Sequence, residues 1–370
     1  MTVEAGYFAN AAAGLMPPEV LEATTHHLRR EAEIGAAGAA AEAGTIVAEG
    51  YRAVADLMGA DADEVAFVES GNRALAALVQ SAGLKAGDHV LVDRTCWGGT
   101  LDMLTSYSGV VVDVMPVDAD GRVDVEEARR QAHPATKLIV LTWCPATCGI
   151  LNPAEAVGDL AHDLGAFYIV DACQVLGQQP VDVSRLRCHG LAASGRKWLR
   201  GPRGTAILFA SRRYLDATAP FMPDQFGRRR SDARRYETGE AFVAGRVGLS
   251  VAVQTLLAAG TDVTSKRLAD IAQQIRVRSG NLPGVSICER GPALASFVTL
   301  AVAGSTAERA ATELAARGIS VSVPDRIYAP LDMDARDLAS VVRIAPHLFT
   351  TASAVDTLVA ALADIAAAPA

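Results

Sequence analysis

Residues 168–174, Tyr-Ile-Val-Asp-Ala-Cys-Gln, and residues 194–204, Ser-Gly-Arg-Lys-Trp-Leu-Arg-Gly-Pro-Arg-Gly, decide how the chain reads. The first is an apolar run that ends in an acid, Asp171. The second follows Leu191-Ala192-Ala193 and carries Lys197. Short apolar runs without polar alternation read as strands buried on both faces, the signature of a parallel sheet. Ligands bind such sheets at the carboxyl ends of the strands. An acid and a lysine at two strand ends therefore set a carboxylate and an amine on one rim. Gly201-Pro202-Arg203-Gly204 adds a rigid turn before a further apolar run at 205–209.

Outward from there, strands and helices alternate. The pattern predicts strands over 65–68, 89–92, 110–117, 137–143, 167–170, 191–193 and 205–209. It predicts helices over 74–81, 101–107, 123–131 and 154–164. Residues 19–58 read as helix with a Gly-rich interruption at 35–44, and 245–259 as a long apolar helix. Strands at 295–303 and 341–344 and helices at 306–317 and 353–367 follow. Such alternation argues for an α/β chain with a mostly parallel sheet covered on both faces. We expect a large domain over residues 1–260 and a smaller C-terminal α/β domain over 261–370.

Composition narrows the function classes. The 370 residues are 50% hydrophobic and 21% charged, which excludes an intrinsically disordered chain. The mean hydropathy is +0.21, yet the longest uncharged stretch, 138–154, contains Pro145, Gly149 and Pro153. It is no spanning helix. A formal net charge of −8 disfavours nucleic-acid binding, which needs a basic surface. The opening MTVEAGYFANAAAG carries Glu4 and lacks the basic start of a secretory signal. The six cysteines form no CxxC pair, so neither a disulfide framework nor a structural zinc is expected. The expected setting is cytoplasmic.

Taken singly, a strand-end Asp reads as a helix cap and a Lys as a solvated side chain. Together with small and cationic groups they match what pyridoxal phosphate requires. An amine captures the aldehyde. A carboxylate keeps the pyridine nitrogen protonated, so that the ring is an electron sink.

The stretch ASGRKWLRGPRGTAILF (193–209) resembles the cofactor-lysine signature of class V pyridoxal-phosphate enzymes. That group includes cysteine desulfurases, isopenicillin N epimerase-like proteins and kynureninase. VDACQVLG resembles its aspartate strand, YFANAAAGLMPPEV its N-terminal opening, FVESGNRAL its phosphate turn and VRIAPHLFTTASAVDTLVAAL its C-terminal strand and helix. The resemblance implies the fold-type I (aspartate aminotransferase-like) architecture. It makes Lys197 the Schiff-base lysine and proton carrier, sets Asp171 against the pyridinium nitrogen and gives Gln174 the ring hydroxyl. Ser70, Gly71 and Asn72 would open a phosphate-cradling helix, with Ser194 and Arg196 reaching the same phosphate; Arg196 departs from the family's usual histidine. Trp97 would stack on the ring. Arg343 would grip the substrate α-carboxylate, with Asn10 assisting.

The resemblance also implies a homodimer with a shared active site. YETGEAFVAG (236–245) matches the segment that reaches the partner's phosphate, with Gly239 and Glu240 at the contact. An acid there would repel a phosphate, so Glu240 would face substrate or Arg196. The apolar helix over 245–259 suits dimer packing and a buried core equally. The arginines within 228–235 read as a solvated loop paired to acids, or as a mobile loop at the site mouth.

For the reaction, cysteine desulfurases carry a nucleophilic cysteine before the carboxylate-binding arginine. Residues 320–342 contain none. The family's Asn over the cofactor is also missing near Ala146, leaving Thr147 and Cys148 as candidates for substrate contact. Within the class the sequence resembles the hercynylcysteine sulfoxide lyase group and lincosamide-pathway enzymes that process cysteine S-conjugates. That implies a C–S β-lyase acting on a small amino-acid substrate in actinobacterial secondary metabolism. It would release pyruvate, ammonia and a thiol or sulfenic acid. Decarboxylation-coupled oxidative deamination of an S-cysteinyl group, and class V amine transfer or epimerisation, stay open. So does a cofactor-binding fold that has lost catalysis, against which Lys197, Asp171 and Gln174 argue.

Overall fold

A computed structural model describes residues 6–220 and 230–368. Among these residues the larger sheet holds β1 (Val65–Val68), β2 (His89–Val92), β3 (Val111–Val114), β4 (Thr136–Thr142), β5 (Phe167–Asp171), β6 (Gly190–Ser194) and β7 (Ala206–Ala210). Their spatial order is β1-β7-β6-β5-β4-β2-β3. The pairs β2/β3, β2/β4, β4/β5 and β5/β6 are parallel, while β7 runs antiparallel to both its neighbours. This is the expected mostly parallel α/β sheet.

The central strands are mostly apolar because both faces are covered, whereas the edge strand β3 carries Asp113 and leaves Val111 and Val114 exposed. Along β5, Tyr168 and Val170 join one core with Leu141 and Leu191, and Ile169 joins the other with Val140 and Ala192. Each side chain of this size contributes about 2 kcal/mol by leaving water. The helices lie close to where periodicity predicts them, and their starts are set by local chemistry. Helix Gly71–Ser81 begins three residues ahead of the predicted 74 because the Ser70 hydroxyl accepts a hydrogen bond from the Arg73 amide at 3.1 Å.

The 35–44 interruption is a correction. Residues Ala36–Glu42 form a helix of their own between Pro18–Ile34 and Gly44–Met58. Alanine's helix propensity outweighs the embedded Gly38, and Gly35, with φ +80°, makes the turn alone. The apolar helix Val243–Ala259 packs on Pro18–Ile34 and Gly44–Met58 within the same chain.

A second sheet comprises β8 (Val285–Ile287), β9 (Val298–Val302) and β10 (Val342–Ile344), in order β10-β9-β8, antiparallel throughout. Helices Ala307–Ala316 and Ala352–Ala367 cover it through Ala310, Leu314, Leu358 and Leu362. The short strand β8 and the helix Pro330–Ala335 have no counterpart among the sequence expectations; both are too brief to show a period. The N-terminal segment joins the two sheets. Ala9 bridges Ala345, Phe8 packs in the smaller core and Ala11 in the larger. Helices Val243–Ala259 and Thr261–Gly280 meet at 85°, and the second carries Leu268 into the larger core and Ile275 into the smaller. Among the described residues no single helix is long and apolar enough to cross a membrane. The six cysteines are unpaired.

Candidate active site

Strand register brings the candidate residues together. Thr142 pairs with Asp171, and Asp171 with Ala192, so β4 and β5 end level while β6 runs two residues further, to Ser194. Ser194 pairs with Ala206 on β7, and Ala206 with Val68 on β1. The turn Glu69-Ser70-Gly71, the β6 exit Ser194-Gly195-Arg196-Lys197 and the β7 entry Gly204-Thr205 therefore converge. They enclose a cavity of about 370 Å³ together with Asn72, Trp97, Asp171, Cys173 and Arg203. A recess of about 20 Å³ adjoins it. The recess shares Trp97, Asp171, Cys173 and Lys197, and adds Thr95, Thr142, Cys144, Ala146, Gln174 and Tyr328.

Charge is graded across this space. Burial pushes the Lys197 ammonium down from its ordinary value, against the pull of Cys173 and Asp171, which favours the free amine. Asp171 is 7% exposed and accepts the Cys173 amide at 2.9 Å. Arg196 is lowered by burial and by Arg203, so two guanidiniums share one end of the cavity. Arg343 is buried beside the recess. Its Nη1 donates to the Ala146 carbonyl and its Nε to the Ser322 hydroxyl, each at 2.9 Å. Burial brings Arg343 down to about 10. A buried cation of this kind gains from an anionic ligand.

The thiols on these walls are poor nucleophiles. Burial pushes Cys173 up to about 12, and Cys144 is raised well above its ordinary value for the same reason.

Trp97 is held at both ends. Its amide donates to the Thr142 hydroxyl at 3.2 Å, and its indole N–H donates to Asn72 Oδ1 at 2.9 Å. Gln174 faces the recess, but its side chain is already engaged. Nε2 donates to the Ala11 carbonyl and Oε1 accepts from the Trp198 indole, each at 2.9 Å, which leaves one amide hydrogen uncommitted. Asn10 and Thr147 lie fully buried behind the walls. Asn10 Nδ2 donates to the Ala345 carbonyl at 2.8 Å, while Asn10 Oδ1 and Thr147 Oγ1 have no partner among the described residues. Gly239 and Glu240 are exposed and line neither space. Their neighbour Glu237 is structural: it accepts from the Tyr51 hydroxyl at 2.7 Å and pairs with Arg246 at 2.9 Å.

The arginine cluster reads differently in three dimensions. Arg228 and Arg229 lie outside the described residues. Arg230 pairs with Asp232, as a loop paired to acids would. Arg234 instead stacks on the Tyr51 ring at 4.3 Å, and Arg235 is buried, donating to the Leu215 carbonyl at 2.7 Å. The solvated-loop reading therefore does not extend to these two, whose flat guanidiniums suit such packing.

Sequence reasoning missed a buried network beneath Trp97. Asp93, the residue after β2, is fully buried. It accepts from the Thr95 hydroxyl at 2.5 Å and from the Thr142 amide at 2.6 Å. Asn152 donates to the Thr95 hydroxyl at 3.2 Å and to the Thr142 carbonyl at 2.8 Å. Burial pushes the Asp93 carboxyl up to about 7, with Asp171 adding to the rise. The signal was present, since Val90-Leu91-Val92-Asp93 has the same form as Tyr168-Ile169-Val170-Asp171.

The cavity fits pyridoxal phosphate. Helix Gly71–Ser81 opens on it, and the first amides of a helix favour an anion. A Cβ at Gly71 would lie 2.3 Å from Cys173 Sγ and 3.0 Å from Ser194 Oγ, so only glycine keeps this cradle open. Amine, carboxylate and paired guanidiniums complete the donor set of a pyridoxal-phosphate enzyme. The chain belongs to the class V aminotransferase family, whose profile matches residues 6–358, and it is a pyridoxal-phosphate-dependent enzyme. It is 30% identical to the "Probable hercynylcysteine sulfoxide lyase" of Mycobacterium tuberculosis, over 94% of this chain and 87% of that one. It is 26% identical to the "Probable cysteine desulfurase" of Halalkalibacterium halodurans, over 95% and 91%. Its fold matches the cysteine desulfurase CsdA of Escherichia coli with a TM-score of 0.89 at 23% identity, covering 98% of this chain and 94% of that one. The chain is thus of the desulfurase and C–S lyase-like kind.

Proposed function

We propose that this enzyme is a carbon–sulfur β-lyase that cleaves a cysteine S-conjugate to pyruvate, ammonia and a thiol or sulfenic acid. One observation carries this reading. The thiols on the walls of the two spaces, Cys173 and Cys144, are held protonated, and Tyr328 and Ala146 rather than a reactive cysteine face the recess. A desulfurase relay needs a thiolate to accept sulfur. Among the described residues lining the two spaces no thiol is set to accept the sulfur, which in this reading leaves with its substituent.

In this reading Lys197 would hold the cofactor aldehyde, and its amine would carry the Cα proton. Asp171 would pair with the pyridine nitrogen, Trp97 would cover the ring and Gln174 would offer its spare amide hydrogen to the ring hydroxyl. The amides at Ser70, Gly71 and Asn72 take the phosphate, with Ser194, Arg196 and Arg203. When bound, the cofactor supplies an electron sink for charge developing at Cα. Arg343 clamps the α-carboxylate and so selects which Cα bond stands ready to break; Asn10 and Thr147 support that clamp from behind. Gly239 and Glu240 meet a second subunit in a homodimer. The metabolic setting we attach is the processing of cysteine conjugates in secondary metabolism, of which lincosamide biosynthesis is an example.

The test is product analysis. The cofactor-loaded enzyme is offered thioether and sulfoxide conjugates of cysteine, and pyruvate, carbon dioxide and the sulfur product are quantified together. Pyruvate equimolar with the released thiol or sulfenic acid is expected, and Lys197→Ala abolishes it. Carbon dioxide with a sulfur-retaining aldehyde would establish the decarboxylating alternative instead.

A further inference from the structure

Tyr328 lines the recess without a part in holding either the cofactor or the substrate carboxylate. It ends the short 3-10 turn Arg326–Tyr328, whose entry is capped by Asp325: the carboxylate accepts the Ile327 amide and the Asp325 carbonyl accepts the Tyr328 amide, each at 3.1 Å. The turn is seated on the start of helix Gly98–Thr105. A Cβ at Gly98 would lie 2.0 Å from the Ile327 carbonyl oxygen, so glycine there admits the close approach. The Tyr328 ring then stands edge-on to Trp97, with centroids 5.1 Å apart and planes at 87°. It faces the same recess as Lys197 and Asp171, and its phenol lies within the field of both Arg196 and Arg343.

The hydroxyl of Tyr328 is also uncommitted. Five other tyrosines spend theirs inside the fold. Tyr7 donates to Ala13, Tyr51 to Glu237, Tyr168 to Ala154 and Tyr214 to Leu78, while Tyr236 accepts from Arg235. The Tyr328 side chain makes no hydrogen bond among the described residues. A fixed ring with a spare O–H beside a reactive amine is the arrangement of a proton donor.

We propose that Tyr328 is the catalytic acid for the departing sulfur. This rests on the C–S lyase reading and adds the residue that reads the leaving group. Lys197 Nζ takes the Cα proton. The electron pair left at Cα forms the Cα–Cβ double bond as the Cβ–S bond breaks onto sulfur. The Tyr328 O–H gives its proton to that sulfur, which departs as a neutral thiol. The phenolate recovers a proton from the Lys197 ammonium through water. Nothing is oxidised or reduced, and the proton lost at Cα is balanced by the one gained at sulfur.

An acid at sulfur matters most when the leaving thiolate is poor. Tyr328→Phe keeps the ring against Trp97 and removes only the O–H. With S-ethylcysteine its kcat falls about 100-fold or more, because general-acid help of this size is lost. With S-(4-nitrophenyl)cysteine, whose thiolate leaves unaided, kcat falls less than about 3-fold. Bound-cofactor absorbance and KM stay close to wild type. An equal fall on both conjugates, or no fall on either, overturns the role of Tyr328 and leaves the lyase reading standing. A wild-type enzyme that cleaves cysteine sulfoxides but neither thioether overturns this assignment alone, and one that cleaves none of them overturns the lyase reading with it.

Discussion

Asp93 follows β2 and Asp171 ends β5 in one sheet, each after an apolar run, and the fold uses them in opposite ways. Asp171 opens onto the large cavity beside Lys197. Asp93 is sealed beneath Trp97 by Thr95 and Thr142. What separates them is which neighbour continues past the strand end. Next to Asp171, β6 runs on through Ser194 to Lys197 and leaves a space. Above Asp93, the chain folds back through Thr95 and Trp97 and fills it. A strand-end acid is therefore a catalytic candidate only where the sheet rim stays open.

The largest test of this contrast is the pair Asp171→Asn and Asp93→Asn. Removing the charge at Asp171 lowers turnover about 1,000-fold, because the cofactor ring loses the partner that makes it an electron sink. Asp93→Asn costs less than about 10-fold in the same pyruvate assay. Equal losses would break the distinction. Next in size is Gly71→Ala. The new methyl group would press on Cys173 Sγ, and cofactor affinity, read by absorbance titration, falls at least about 10-fold.

A third test uses pH. The folded state holds the Asp93 carboxyl well above its ordinary range, so the ionised form is the costly one. The stability this group gives is fully present below the ordinary carboxylate range and is lost as pH rises through about 7. The loss amounts to no more than about 4 kcal/mol. Asp93→Asn therefore raises Tm more at pH 8 than at pH 5, and a pH-independent difference would contradict the burial argument. The smallest effect is expected for Thr142→Val. It removes the acceptor of the Trp97 amide while sparing the Thr142 amide that serves Asp93. The cost is about 1 kcal/mol of stability, with a shift in tryptophan emission.

Much of the site is legible in the amino-acid sequence, and for a physical reason. Strand ends show in a sequence as apolar runs that stop, and Asp171, Ser194 and Lys197 stand where runs stop. Ser70 announces a cap by its type. The residues that are not legible depend on distant pairings. Tyr328 reaches the recess because its turn sits on Gly98, and nothing local to residues 326–328 says so. Gln174 carries the right chemistry for a cofactor contact, yet the fold already engages it with Ala11 and Trp198. Arg234 and Arg235 look like a solvated run and pack inward on tyrosine rings. The helix Ala36–Glu42 is hidden by Gly38 within it and by the flanking Gly35 and Gly44; the surrounding alanines absorb the local cost of Gly38.

The sequence by itself determined the alternation of strands and helices, the acid and the amine at two strand ends, and the family, because periodicity and residue type are local properties. The tertiary structure decided which strand-end acid faces a cavity, which walls that cavity has and which hydroxyl is left free inside it. Those outcomes depend on register and on close approach between segments far apart in the chain, where a shift of a single residue would exchange a lining side chain for a buried one.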